Sequence, residues 1–316
     1  KEVTRIYGRT GDSTPARYYD GTLLPEALSS AKNFAWNGGA KDITNAWNNG
    51  TFLIIHRDHG LVSGWGTPSY SSNNILALTN GERLPVVFSI NCATGFFDNE
   101  TADGAYGTIQ NGIYFAENAL RQPNGGAVSL IAATRNSPSW ENSTLLQGFM
   151  DAIWTNALPK FGTSQSQRRL GDILNHGKRY VVSKTGMNVM GETIWENAVR
   201  NELYLWHCIG DPTLELWVKN PHVQEVLPNY QFNHQDVAIQ NGIEVAGGIT
   251  ILYGVEGAEI TVFEEGPNEK MPIGRGVVKN GVAEINYLQK HATTYPLSAV
   301  ANFENAPALT LEGRKL

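Results

Sequence analysis

Apolar residues follow two different patterns along this chain. In residues 1–220 they gather in short unbroken runs: Thr51-Phe52-Leu53-Ile54-Ile55, Pro85-Val86-Val87-Phe88-Ser89-Ile90 and Gly126-Ala127-Val128-Ser129-Leu130-Ile131-Ala132-Ala133. Segments of helical spacing lie between and after them. Asp42-Ile43-Thr44-Asn45-Ala46-Trp47 is closed by Asn48-Asn49-Gly50, and further helices are predicted at 144–158 and 168–184. Runs of this length separated by helical segments read as strands buried on both faces of a largely parallel α/β sheet. A strand-like run, Val3-Thr4-Arg5-Ile6-Tyr7, opens the chain.

Past Pro221 the pattern becomes alternation. Ile249-Thr250-Ile251-Leu252-Tyr253, Glu259-Ile260-Thr261-Val262-Phe263 and Gly276-Val277-Val278 are followed by Lys279-Asn280-Gly281, the best hairpin turn in the chain. Val282-Ala283-Glu284-Ile285-Asn286-Tyr287 and Leu297-Ser298-Ala299-Val300-Ala301 complete the set. Several short strands joined by turns predict an antiparallel sandwich. The expected division is an α/β domain over 1–220 and an all-β domain over 221–316. A length of 316 residues suits two cores better than one.

Composition narrows the function classes. A net charge of -6 and the lack of a Lys/Arg run argue against a general nucleic-acid binder. No apolar run approaches the length of a membrane span. Charged residues make up only 17%, while Gly, Asn, Thr, Trp and Tyr are plentiful, which suits a secreted or cell-surface protein. Two cysteines, Cys92 and Cys208, give no disulfide framework; they can pair once, bind metal or stay free. Lys1 stands where an initiator Met would, so the chain is expected to be processed or cut from something longer.

Two segments offer chemistry. Ile55-His56-Arg57-Asp58-His59-Gly60 follows one apolar run, and Ser89-Ile90-Asn91-Cys92-Ala93-Thr94-Gly95 follows the next. In an open parallel sheet, loops at the carboxyl ends of strands surround the functional crevice. A His and a Cys leaving successive strands there can converge, and a nearby imidazolium favours the reactive thiolate. The glycine after His59 allows close approach and leaves an N–H free for an oxyanion. Other readings stay open at this level. A lone Cys ending an apolar strand is commonly a small buried hydrophobe, and that reading is favoured for Cys208 in Trp206-His207-Cys208-Ile209-Gly210. His56 and His59 have a zinc-ligand spacing, although no matching cluster of Cys, His or Asp follows.

The ordered series His59-Gly60, Trp65-Gly66-Thr67, Leu84-Pro85-Val86-Val87-Phe88-Ser89-Ile90-Asn91-Cys92 and Gly95-Phe96-Phe97 resembles the catalytic core of gingipain-type cysteine peptidases. Val128 to Thr134 with Ser139-Trp140 is similar to the family's next strand and substrate-pocket loop, and Gly210-Asp211-Pro212-Thr213-Leu214 to the motif closing its peptidase domain. The resemblance implies a caspase-like α/β fold followed by an immunoglobulin-like domain. It makes Cys92 the nucleophile, His59 its partner, the N–H groups of Gly60 and Cys92 the oxyanion hole, and Trp140 and Thr134 substrate-binding residues. It implies cleavage of a protein or peptide substrate through an acyl-enzyme, with a basic residue before the cut as the family habit. No cofactor is needed for the chemistry. A structural calcium ion is expected from the family, with Asp98, Glu100 and Asp103 as the nearest acidic cluster; a solvated acidic loop explains the same residues.

One departure stands out. The family has a further strand and helix ahead of the strand matched to Thr4–Tyr7, carrying an acid that orients the catalytic His and the acidic floor that selects Arg or Lys. An N-terminal light chain from the same precursor is the expected source. The alternative is that residues 1–40 rearrange to supply the strand. Two other functions keep the same fold: a transpeptidase or ligase using the same acyl-enzyme, and a non-catalytic secretion or binding module.

Overall fold

The computed structural model describes residues 3–9, 15–18, 21–98, 112–162, 165–189, 192–193, 195–216, 229–234, 245–252, 256–266, 270–289, 297–302 and 309–312. The chain divides into two compact units, Lys1–Leu216 and Trp217–Leu316.

The first unit runs α1 (Ala40–Asn48), β1 (Leu53–Arg57), β2 (Gly60–Leu61), β3 (Gly64–Trp65), β4 (Tyr70–Ser71), α2 (Ser72–Leu76), β5 (Val86–Ile90), α3 (Phe115–Arg121) and β6 (Ser129–Ala133). It continues with α4 (Ser139–Ile153), α5 (Leu170–Ser183), the hairpin β7 (Asn188–Val189) and β8 (Glu192–Thr193), α6 (Glu196–Leu205) and β9 (Trp206–Ile209). The main sheet has the order β1-β5-β6-β9. β1, β5 and β6 are parallel, and β9 returns antiparallel to β6.

The three unbroken apolar runs are these three parallel strands. Every residue of β5 and β6 is buried, as helices on both faces require. On one face Val87 and Leu130 join Ile43 and Trp47 of α1, Ile75 of α2 and Phe115 and Ala119 of α3 in a single core. On the other, Phe88 meets Phe149 of α4 edge to face at 5.3 Å. Alternate residues of one strand therefore serve opposite helical layers.

α1 starts where Gly39 N donates to the Asp42 carboxylate and ends at Gly50, whose φ of +92 closes the turn. Among the described residues β1 pairs only with β5, so its outer edge carries no strand. The expected strand at Val3–Tyr7 does not form. Tyr7 O accepts from Gly38 N, and the Tyr7 ring packs against Phe34 and Trp36 at 5.6 and 5.3 Å. An aromatic cluster, not a ladder, holds that segment. The helix expected at 144–158 starts earlier, after Pro138, and ends at Ile153. The Asp151 carboxylate then accepts from Leu158 N and turns the chain back.

The second unit consists of β10 (Asn229–His234), β11 (Val245–Leu252), β12 (Glu259–Glu265), β13 (Lys270–Val277), β14 (Val282–Gln289), β15 (Leu297–Asn302) and β16 (Leu309–Glu312). They form two antiparallel sheets, β10-β11-β14 and β13-β12-β15-β16. Ala283, Ile285 and Tyr287 of the first sheet share one core with Ile260, Val262, Ala299 and Ala301 of the second. The Lys279–Val282 turn has Asn280 and Gly281 both at positive φ, 53° and 78°, as a two-residue hairpin of this kind demands.

Candidate functional site

The two candidate segments leave neighbouring parallel strands at the same level. Arg57 ends β1 opposite Ile90, which ends β5. His59 lies two residues beyond the first and Cys92 two beyond the second. His59 is exposed, Cys92 partly buried and Gly60 buried. Gly60 lodges against the side chain of Asn91 and the backbone of Cys92: a Cβ there would lie 2.6 Å from Cys92 O. The glycine is thus a steric condition for bringing the two strand ends together. Gly66 is held in the same way, since its Cβ would lie 2.9 Å from that of His59, and Gly66 N donates to His59 O at 2.8 Å.

The two histidines of the first segment are treated differently. His56 is buried and stacks on Trp65 at 4.4 Å with the rings parallel to 1°. Its Nδ1 accepts from Asn91 Nδ2 at 2.8 Å. Burial pulls its pKa down to about 4, against the opposing pull of Asp58, so it is neutral at ordinary pH. Asn91, Ser89, Thr94 and Trp65 complete a buried network in which Trp65 Nε1 donates to Ser89 Oγ and Thr94 Oγ1 donates to Asn91 Oδ1. His56 positions the floor of the strand ends, and with His59 at the surface the two do not form one ligand pair. Among the described residues no group of three His, Cys, Asp or Glu could hold a metal.

Past Cys92 the chain turns through Ala93 at φ 55, a left-handed conformation that is strained for a residue with a Cβ. Ala93 N and Gly95 N donate to Arg135 O and Ala133 O, tying this turn to the loop after β6. Cys92 Sγ lies 3.7 Å from Ser137 O in that loop. Trp140, half-buried, stands in the first turn of α4 just beyond. Thr134 is buried, and both its N–H and its hydroxyl donate to Leu205 O at the end of α6. Both Asp98 oxygens accept from Arg135, at 2.7 and 2.8 Å, so that charge is already matched. Glu100 and Asp103 lie outside the described residues. Calcium takes six to eight oxygens, and the described residues do not assemble such a set at Asp98.

Both cysteines are free thiols. Burial raises the pKa of Cys208, on β9, which keeps it protonated and unreactive. Two residues that sequence reasoning passed over complete the surroundings. Arg57 Nη2 donates to Ser139 O, Ser139 Oγ and Ser143 Oγ at 2.5, 2.8 and 3.0 Å. Glu202 of α6 is fully buried and accepts from Trp206 Nε1, and burial raises its pKa to about 8. A cation directly after an apolar strand was the available signal for Arg57. Glu202 had none, since its burial depends on how α6 packs.

Residues 2–217 match the model of peptidase family C25. Gingipain R1 of Porphyromonas gingivalis is 27% identical over 250 residues, 78% of this chain and 21% of that protein. Gingipain R2 of P. gingivalis strain W83 is 26% identical over 249 residues, 78% of this chain and 28% of its own length. The chain therefore spans well under a third of these relatives. Among solved structures, the Arg-specific cysteine proteinase gingipain R (RgpB) aligns with a TM-score of 0.58 at 21% identity, covering 87% of this chain and 56% of that one. The complex of the P. gingivalis RgpB pro- and mature domains gives 0.59 at 20% identity, covering 87% and 57%. At such identities these likenesses establish the fold of the helix-flanked, mostly parallel sheet.

Proposed function

The chain belongs to peptidase family C25, and from that premise we propose that it is a cysteine endopeptidase acting through Cys92 and His59. The observation that carries this reading is the shared level of the two strand ends, with Gly60 seated against Asn91 and Cys92. In this reading the Cys92 thiolate attacks the scissile carbonyl. The N–H groups of Gly60 and Cys92 receive the oxyanion, and His59 protonates the departing amine. Water then hydrolyses the acyl-enzyme and regenerates the thiol. The exposed His59 is free to reach the leaving group without a fixed bond to the sulfur.

Cleavage after a basic residue is known here only from the Arg-specific relative. The proposal extends to a secreted or cell-surface location, to an immunoglobulin-like identity for the second unit, and to a structural calcium ion. It also extends to a light chain or pro-segment pairing with the outer edge of β1. That edge has no strand partner among the described residues, and Ile55 on β1 is 42% exposed.

The test is peptide cleavage by the mature protein with any associated chain. Replacing Cys92 by Ala is expected to lower kcat/KM more than about 1000-fold with the fold unchanged by circular dichroism, whereas Cys208→Ala retains activity. An active Cys92→Ala protein would end this assignment.

A further inference from the structure

Arg57 closes a strand that begins with the apolar run Leu53-Ile54-Ile55, and its backbone is the lateral partner of Ile90, two residues before Cys92. Adjacent strands lie about 4.8 Å apart and a residue advances about 3.3 Å along a strand, so the Arg57 backbone is on the order of one side-chain length from that of Cys92. Its side chain leaves the sheet opposite to that of His56, toward α4. There Nη2 is fixed by Ser139 and Ser143, on either side of Trp140 and Glu141 in sequence. Cys92 Sγ rests against Ser137 of the same loop. Arg57, Cys92 and the start of α4 therefore meet at one corner.

At that corner the guanidinium is held but not neutralised. Among the described residues no carboxylate makes an ion pair with Arg57, and Nη1 has no hydrogen-bond partner. Nε is sealed from water without an acceptor. Burial disfavours the cation, offset in part by the neighbouring Asp58 carboxylate. Keeping a cation in such a place costs stability, which a buried apolar residue would not. The carboxyls on this side do not cancel it. Glu202 is closed to solvent and held largely protonated at neutral pH by its burial. Glu141 is 6% exposed, with Oε2 buried and unpartnered, and it makes no ion pair with Arg57. Lys178, near Glu202, adds a second positive charge behind them.

We infer that Arg57 is a specificity-determining residue whose guanidinium receives an acidic side chain, Asp or Glu, from the substrate residue whose carbonyl Cys92 attacks. This rests on the peptidase reading and deepens it. Guanidinium and carboxylate are matched in charge and in donor geometry, and Nη1 still has two N–H donors to give. Trp140 lies between Ser139 and Ser143 in the same opening turns of α4. A basic side chain at the same place would meet a fixed like charge.

The experiment uses the mature protein and three peptidyl acyloxymethyl ketones of one sequence ending in Asp, Ala or Arg. The thiolate displaces the carboxylate leaving group, forming a C–S bond as the C–O bond breaks, and mass spectrometry locates the adduct on Cys92. The Asp probe is expected to label at least tenfold faster than the Ala or Arg probe. In Arg57→Glu the order of the Asp and Arg probes is expected to reverse, and in Arg57→Lys the acidic preference is expected to persist. The wild-type comparison stands whether or not the variants fold. Faster labelling by the Arg or Ala probe overturns the acidic preference and leaves the peptidase reading intact. An Asp preference unchanged in a folded Arg57→Glu protein overturns the role of Arg57. Labelling by iodoacetamide but by none of the three probes overturns the peptidase reading and this inference with it.

Discussion

His56 and His59 sit three residues apart in Ile55-His56-Arg57-Asp58-His59-Gly60 and look interchangeable there. The structure gives them separate duties. His56 lies inside β1 with its ring stacked on Trp65 and bonded to Asn91, while His59 lies beyond the strand at the surface. Removing His59 is expected to lower kcat/KM about 100- to 10000-fold, the usual range for a lost general acid, with little change in unfolding free energy. Removing His56 opens a cavity under Trp65 and leaves Asn91 short of an acceptor. About 1–3 kcal/mol of stability is expected to go, with activity falling far less. Steady-state kinetics and urea unfolding of the two alanine variants check this; the opposite assignment of effects would refute it. The sequence supported choosing His59 through the glycine after it and through the ordered motifs that resemble the gingipain-type core. That His56 is buried depends on where β1 ends, which a run of apolar residues marks only to within a few positions.

At the scale of elements, legibility followed burial. β5 and β6 were readable because strands covered on both faces must be apolar throughout. Val3–Tyr7 is also strand-like in sequence, though broken by Thr4 and Arg5, yet its aromatic ring found partners in Phe34 and Trp36, and periodicity cannot distinguish those outcomes. The start of α4 was missed although Pro138 marks it, because the helix opens with the polar residues Ser139, Glu141, Asn142 and Ser143. That opening turn carries the contacts to Arg57, so the seating of α4 matters for the site. It is seated on α5 through two glycines: a Cβ on Gly148 would lie 2.7 Å from Gly177 Cα, and one on Gly177 would strike the Phe149 ring. Gly177→Ala is expected to cost about 1–3 kcal/mol by overpacking, more than Ala's better helix propensity returns. Thermal unfolding checks it. A variant as stable as the parent would mean that the two helices separate easily.

For the molecule as a whole, the tail was readable from its alternation, and the Lys279-Asn280-Gly281 turn from its residue types alone. The titration behaviour was not, because it comes from burial. His56 has its folded pKa near 4, below its ordinary 6.5, so the folded state binds fewer protons between those values and stability is lost as pH falls through them. Glu202 is the reverse. Its folded pKa near 8 exceeds the ordinary 4.5, so its contribution is full below pH 4.5 and is lost as pH rises toward 8. Between 4.5 and 6.5 the two oppose each other. Above 6.5 Glu202 alone of the pair acts, and stability is expected to fall by about 2 kcal/mol from pH 6.5 to pH 8. Glu202→Gln keeps an oxygen for Trp206 Nε1 and is expected to remove that decline while changing little at pH 4.5. Urea unfolding across the pH range measures both. A decline that survives the substitution would place the titrating group elsewhere.

The seating of Gly60 has a consequence in terms of inheritance. Its constraint comes from the side chain of Asn91 and the carbonyl of Cys92, not from the sulfur, and every substitution of a glycine adds the Cβ that those atoms exclude. The glycine is therefore guarded by the fold, while the cysteine beside it is guarded only by the reaction. A lineage that kept this architecture and abandoned the chemistry would be free to drift at Cys92 and His59 and would still be bound to Gly60.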